Sequence, residues 1–195
     1  ARSLPRGSTL RIVAGKHRGQ PLAAPPGPDI RPTSGRAREG VFNILEHGRI
    51  AIDLNDAHVL DAFAGTGALG LEALSRGARH VTFIENARGA RRALTENIAA
   101  CNEEDQATVV QADATNPPPA SRPVDLAFLD PPYKTGLVAP ALIALDRRGW
   151  FHDDTLIVAE MSSGEDFASP EFLEEIDRRK YGAAQMLFLC RRGSA

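Results

Sequence analysis

The chain has 195 residues, 43% of them hydrophobic, 25% charged and only 6% aromatic, which suits one ordinary soluble domain built around a single core. No apolar run approaches the ~18 residues of a membrane span, no basic-then-apolar leader suggests secretion, and Cys101 and Cys190 are too few for a disulfide scaffold, so a reducing cytoplasm is expected. Net charge is −2, against a generic nucleic-acid coat, but it is unevenly spread: up to residue 50 nine basic side chains stand against three acidic ones, +6, leaving −8 for the rest.

Residues 1–8 lack an initiator Met and carry Leu4-Pro5-Arg6-Gly7-Ser8, which looks like a protease site; they are read as a cloning remnant and set aside, leaving +4 at the front. Residues 9–50 form a basic N-terminal extension. Within it, runs 10–14 and 20–23 flank Gly15-Lys16-His17-Arg18-Gly19 as a hairpin with a basic tip. Residues 24–28 form a proline-rich connector. Thr33 or Ser34 then caps a helix whose Ala37, Val41, Ile44 and Leu45 share one face.

From residue 51 to 195 the pattern becomes strand, turn, helix, repeated. Strands are expected at 58–63, 80–85, 108–111, 124–129, 155–160 and 184–190, the last paired with one near 179–182. Helices are expected at 68–76, 88–101 and 137–145, with a short one at 171–177, and a proline-rich loop at 116–123. Alternating β and α elements imply a mostly parallel sheet covered on both faces by helices, a Rossmann-like α/β fold.

Gly65-x-Gly67-x-x-Gly70 closes the first strand and opens a helix, formally matching a dinucleotide fingerprint with Glu85 at the ribose position. A tight turn without any ligand has the same pattern. Asp61 shifts the weight, because a carboxylate inside the turn suits an ammonium group and repels a pyrophosphate. S-adenosylmethionine carries such an ammonium, a ribose for Glu85 and an adenine for Asp113 after the third strand. It therefore ranks above a nicotinamide cofactor, which remains an alternative.

Strand four ends Asp130-Pro131-Pro132-Tyr133. A base amine is a poor nucleophile because its lone pair is delocalised. Acceptors on its N–H groups, here Asp130 and the Pro131 carbonyl, favour the pyramidal nitrogen that attacks a methyl. Proline adds a carbonyl without a competing donor. Tyr133 offers a face for a splayed-out base. The bland alternative is a rigid loop exit.

The two motifs together resemble the amino-methyltransferase branch of the class I S-adenosylmethionine-dependent methyltransferases. Residues 11–19 (Arg-Ile-Val-Ala-Gly-Lys-His-Arg-Gly), Arg31-Pro32-Thr33-Ser34, Arg38-Glu39 with Phe42-Asn43-Ile44-Leu45, and the stretch 67–78 are similar to the RsmD family of bacterial 16S rRNA guanine-N2 methyltransferases. The resemblance implies a seven-stranded methyltransferase fold, S-adenosylmethionine as donor with S-adenosylhomocysteine as product, and 16S rRNA in a partly assembled 30S subunit as substrate. It places Asp61, Phe63, Ala64, Gly65, Gly67, Glu85, Asn86, Asp113, Ala114 and Asp130 around the cofactor and the tetrad 130–133 on the guanine amine. Arg11, Lys16, His17, Arg18, Arg31, Arg36 and Arg38 then become candidate phosphate contacts; each alone reads rather as a solvated surface cation, and it is their clustering that favours RNA.

His17, His47, His58, His80 and His152 show no metal spacing, and methyl transfer needs no metal, so none is expected; a monomer is expected too. Trp150-Phe151 reads as a packed loop, with base binding as the alternative. The four-residue site also permits adenine in DNA or RNA, or a protein glutamine, as acceptor. A non-catalytic RNA-binding assembly factor is a further alternative, against which the intact tetrad argues.

Overall fold

A computed structural model describes residues 10–24 and 35–193. The elements run α1 (Gly35–His47), β1 (His58–Ala62), α2 (Ala68–Ser75), β2 (His80–Ile84), α3 (Arg88–Ala100), a 3-10 turn (Glu104–Gln106), β3 (Ala107–Val110), β4 (Val124–Leu129), α4 (Val138–Arg147), β5 (Phe151–Ser162), β6 (Leu173–Tyr181) and β7 (Ala184–Arg191). They build one seven-stranded sheet in the order β3-β2-β1-β4-β5-β7-β6. The first five strands are parallel, and β7 runs antiparallel to both β5 and β6.

The central strands are buried on both faces, which is why they read as near-continuous apolar runs. Alternation along β1 sends Val59 to one core layer and Leu60 to the other. The Val59 layer is shared with α1, α2 and α3, the Leu60 layer with α4, Trp150 and Phe151. Trp150 is buried there and donates its indole N–H to the Pro118 carbonyl at 3.0 Å. Packing, then, accounts for this pair, and a base-stacking role for it is corrected.

All eight residues of α2 are buried, because the sheet covers one side and the N-terminal segment the other. That segment is a narrow hairpin whose only assigned bridge joins Arg11 and Pro21. Its backbone ties run from Ile12 N to Gln20 O (3.0 Å), Gly19 N to Ile12 O (2.9 Å) and Leu22 N to Leu10 O (2.8 Å). Ile12 and Leu22 enter the same core layer as Ala37, Val41, Phe42 and Leu45 of α1. The tip does not project. Lys16 N donates to the Ser75 carbonyl (2.8 Å) and His17 N to its hydroxyl (3.0 Å). Gly15, at φ +79°, permits this approach, since a Cβ there would lie 1.9 Å from the Ser75 carbonyl oxygen.

Two expectations are corrected. Residues 171–177 are not a helix: residues from Leu173 onward form β6, an edge strand paired along its length with β7. Its charged sequence, LEEIDRRKY, imitates a solvated helix face, yet charge on an edge strand is how sheets discourage further pairing. In addition, β5 begins at Phe151 rather than four residues later. The expected caps Thr33 and Ser34, Arg31, the remnant 1–8 and all but the first residue of the connector lie outside the described residues.

Candidate active site

Strand register sets the site. Ala62 pairs with Ile84 on one side and Leu129 on the other, and Leu129 pairs with Ala159. The next residues along, Glu85, Phe63, Asp130 and Glu160, therefore stand in one line across the C-terminal edge of β2, β1, β4 and β5. Adjacent strands lie about 4.8 Å apart. Asp61 lies within β1 rather than in the turn that follows, on the Val59 side of the sheet and not the side to which Phe63 packs, and it is close enough that Asp130 and Glu85 both raise its pKa. Asp113 follows three residues after the end of β3.

The turn after β1 is sharply bent, with Phe63 at φ +64°, Gly65 at +56° and Gly67 at +80°. The three glycines differ in purpose. A Cβ on Gly67, already at φ +80°, would lie 2.3 Å from Leu94 Cδ1 of α3, and one on Gly70 would lie 2.3 Å from Phe83 Cε1 of β2, so both positions are crowded by packed side chains. At Gly65 the nearest atom would be 4.0 Å away. Open space over the turn thus lies at Gly65 alone of the three. The Gly67 N–H is already given to the Ala64 carbonyl (2.7 Å).

Carboxylates hold this turn. Glu85 accepts Gly65 N (2.7 Å) on one oxygen and Ala87 N (2.7 Å) on the other. Asp61 accepts Gly70 N at 2.9 Å. Asn97 of α3, itself buried, donates to the Thr66 and Ala23 carbonyls (2.9 Å each) and accepts Ala23 N (2.7 Å), joining the turn to the hairpin. Burial pushes the Asp61 carboxyl well above the usual carboxylate range, with Asp130 and Glu85 adding to the rise and the Gly70 N–H opposing it. No cation among the described residues pairs with Asp61. Asp113 is exposed and folded into a local turn with Thr115, whose N and hydroxyl each lie 2.8 Å from one of its oxygens. Asn86 is exposed, while Ala64 and Ala114 are buried.

At the end of β4, Asp130 is half-buried, Pro131 buried and Pro132 exposed. Tyr133 is 36% exposed, and its hydroxyl donates to Glu160 Oε1 at 2.5 Å. The Thr135 hydroxyl occupies the Pro132 carbonyl (2.7 Å). Pro131, Tyr133 and Glu160 line one small cleft. Glu160 did not stand out in the sequence, although its signal matches that of Asp61 and Glu85: a lone acid in or just past an apolar run, here Leu156-Ile157-Val158-Ala159.

The basic candidates fare unequally. Arg11, Arg18 and Arg36 are exposed. Lys16 Nζ and His17 Nε2 both meet Glu103 Oε1, at 2.6 and 2.5 Å. Arg38 is corrected: it is 1% exposed, donates to the Arg11 carbonyl and faces Glu72, where no RNA reaches it. Arg31 lies outside the described residues. A larger cavity of about 870 Å³ opens at the opposite edge of the sheet, among Lys16, Arg76, Arg79, His58 and His80. Lys16, Arg76 and Arg79 are there paired with Glu103, Glu46 and Asp56.

A family model described as Conserved hypothetical protein 95 matches residues 10–190. Ribosomal RNA small subunit methyltransferase D of Escherichia coli K12 is 40% identical over 152 residues, covering 77% of this chain and 74% of that protein. The protein of the same name from Haemophilus influenzae is 33% identical over 166 residues, 83% of each chain. The solved structure of yhhF from Escherichia coli superposes with a TM-score of 0.78 at 33% identity, covering 96% of this chain and 100% of that one.

Proposed function

The chain belongs to the conserved hypothetical protein 95 family, which its curated relatives represent as small-subunit rRNA methyltransferases, and we propose that it methylates the exocyclic N2 amine of a guanine in 16S rRNA. It is an rRNA methyltransferase with a Rossmann-like class I fold. The observation that carries the finer assignment is the line of acids at one sheet edge, ending in the tetrad 130–133.

S-adenosylmethionine, when bound, supplies a methyl group on a cationic sulfonium, together with an ammonium, a ribose and an adenine. The residues present fit it. The raised Asp61 suits the ammonium, and the open space over Gly65 admits a ligand close to the backbone. Glu85, already fixed by Gly65 and Ala87, presents its carboxylate to the ribose, and Asp113 lies further along toward the adenine. A helix N-terminus at Ala68 suits the carboxylate group.

Asp130 and the Pro131 carbonyl accept the N–H groups of the guanine amine, which localises its lone pair on nitrogen. Tyr133 holds the base face. The new N–C bond forms as the C–S bond breaks, one proton leaves the amine, and no covalent enzyme intermediate is needed. Positioning and electrostatics supply the acceleration. Phosphates of the rRNA, in a partly assembled subunit, meet the exposed Arg11, Arg18 and Arg36.

Transfer of labelled methyl to under-methylated small subunits, with free rRNA and duplex DNA in parallel, tests this. Label should appear as N2-methylguanine and vanish with Asp130→Ala, whose cofactor affinity should stay within about threefold of wild type. Near-normal turnover by Asp130→Ala removes the tetrad from the chemistry.

A further inference from the structure

We propose that Glu160 is the residue that selects guanine, by accepting the N1–H of the base whose amine Asp130 holds; this rests on the guanine reading above. Glu160 stands beside Asp130 in the strand register, one strand further from the cofactor end of the line. It is 4% exposed, so it has little access to water, and it lines the same cleft as Pro131 and Tyr133.

The chemistry of the base edge decides which purine fits. Guanine presents two kinds of donor side by side, N1–H and the N2 amine. Two adjacent carboxylates, on strands about 4.8 Å apart, accept from both. A carboxylate has about four acceptor sites, so accepting the Tyr133 hydroxyl is compatible with accepting a base proton as well. That hydroxyl also fixes where the carboxylate stands relative to the stacked ring. Adenine turns an unprotonated N1 and its lone pair toward such a group. A buried acceptor set against another acceptor is strongly disfavoured, and sites built around a substrate N–H reject analogues lacking it far better than apolar pockets reject a missing methyl.

The test replaces the mapped target guanine in small-subunit RNA by 2,6-diaminopurine, which keeps the N2 amine but has a lone pair at N1. Wild-type enzyme should prefer guanine by at least about 100-fold in kcat/KM. Glu160→Gln, whose amide can donate to N1, should bring that ratio to within about tenfold, losing activity on guanine and gaining it on diaminopurine, with unchanged cofactor affinity. Tyr133→Phe keeps the ring and removes the hydroxyl; it should lower turnover on both bases and preserve the ratio. If Glu160→Gln behaves like Tyr133→Phe, Glu160 only positions the tyrosine, and the selection role is overturned. Wild-type enzyme that accepts both bases equally overturns it without any variant. Should wild-type enzyme methylate no guanine at all, the proposed function itself falls, an outcome distinct from a lost preference.

Discussion

Glu72 is the acid on which the N-terminal half depends, and replacing it by Gln isolates its charge. The side chain is fully buried in α2. Its two oxygens take Val13 N at 2.8 Å, Ala14 N at 2.9 Å and Arg76 Nε at 3.0 Å, and Arg38 Nε lies 3.4 Å away. Arg38 is 1% exposed, and the Arg76 side chain 6%. Burial already lowers the Arg38 pKa from its ordinary value, and Glu72 is the main influence opposing that. In Glu72→Gln the shape is kept, but Arg38 is left buried without a counter-charge, and an amide N–H meets donors where an oxygen stood. Breaking a buried pair from one side costs about 3–5 kcal/mol, which in a chain of this size lowers Tm by about 6–20 °C. Glu46→Gln is the control. Glu46 also binds Arg76 (2.6 Å), but its side chain is 28% exposed, so its loss should cost only about 0.5–1 kcal/mol. Urea unfolding with unchanged m reads both. A loss under about 1 kcal/mol for Glu72→Gln would refute the reasoning, since the buried arginine would then have another source of compensation.

Gly70→Ala drives a methyl against Phe83 and Val81 and should destabilise by about 1–3 kcal/mol. Gly65→Ala meets open space and only the strain of φ +56°, about 1–2 kcal/mol, but should weaken S-adenosylmethionine binding at least about tenfold; calorimetry showing the opposite ranking would reverse the roles given to the two glycines. Because Asp61 is raised in the free protein and a bound cation favours its ionised form, cofactor binding should release a proton. Affinity should then climb with pH until the raised pKa is passed, while the ligand-free protein loses stability over the same interval. Proton uptake, measured in buffers of differing ionisation enthalpy, would contradict this. Among the described residues Arg18 makes no ion pair whereas Lys16 is tied to Glu103, so Arg18→Gln should reduce the slope of log K against log salt for RNA by up to about 0.7–0.9, and Lys16→Gln by less.

What could be read before the fold was known follows from where the physics is local. Strands buried on both faces announce themselves as apolar runs, and an acid ending one is conspicuous because burial without a partner is costly. Asp61, Glu85 and Asp130 were legible on that ground. Glu160 carries the same signature but lacks a neighbouring glycine turn or proline pair to draw attention to it. Glu72 interrupts the apolar helix Ala68-Leu69-Gly70-Leu71-Glu72-Ala73-Leu74, and its meaning depends on Arg38 and on the hairpin backbone 59 residues earlier. No window along the chain holds both. The same distance hid the true role of Arg38, whose charge alone suggested RNA. The edge strand β6 failed for the converse reason, because its pairing with β7 overrides a local composition that favours solvent.

On the proposed reading, the separation of charge in this fold would follow from the chemistry at the sheet edge. A line of acids suits a sulfonium, an ammonium and the donor-rich edge of guanine, and the same field repels the phosphates on either side of that guanine. Phosphate-binding groups therefore have to stand away from the line while remaining rigidly placed against it. The hairpin meets both conditions. The exposed Arg18 lies at a tip pinned to α2 by Ser75 and to the segment after α3 by Glu103, and Asn97 ties the hairpin's far end at Ala23 to the turn at Thr66. On the proposed reading, loosening any of these anchors should shift the cations proposed to face RNA relative to the proposed methyl-transfer site. The hairpin accordingly shares the core of the sheet instead of trailing from it.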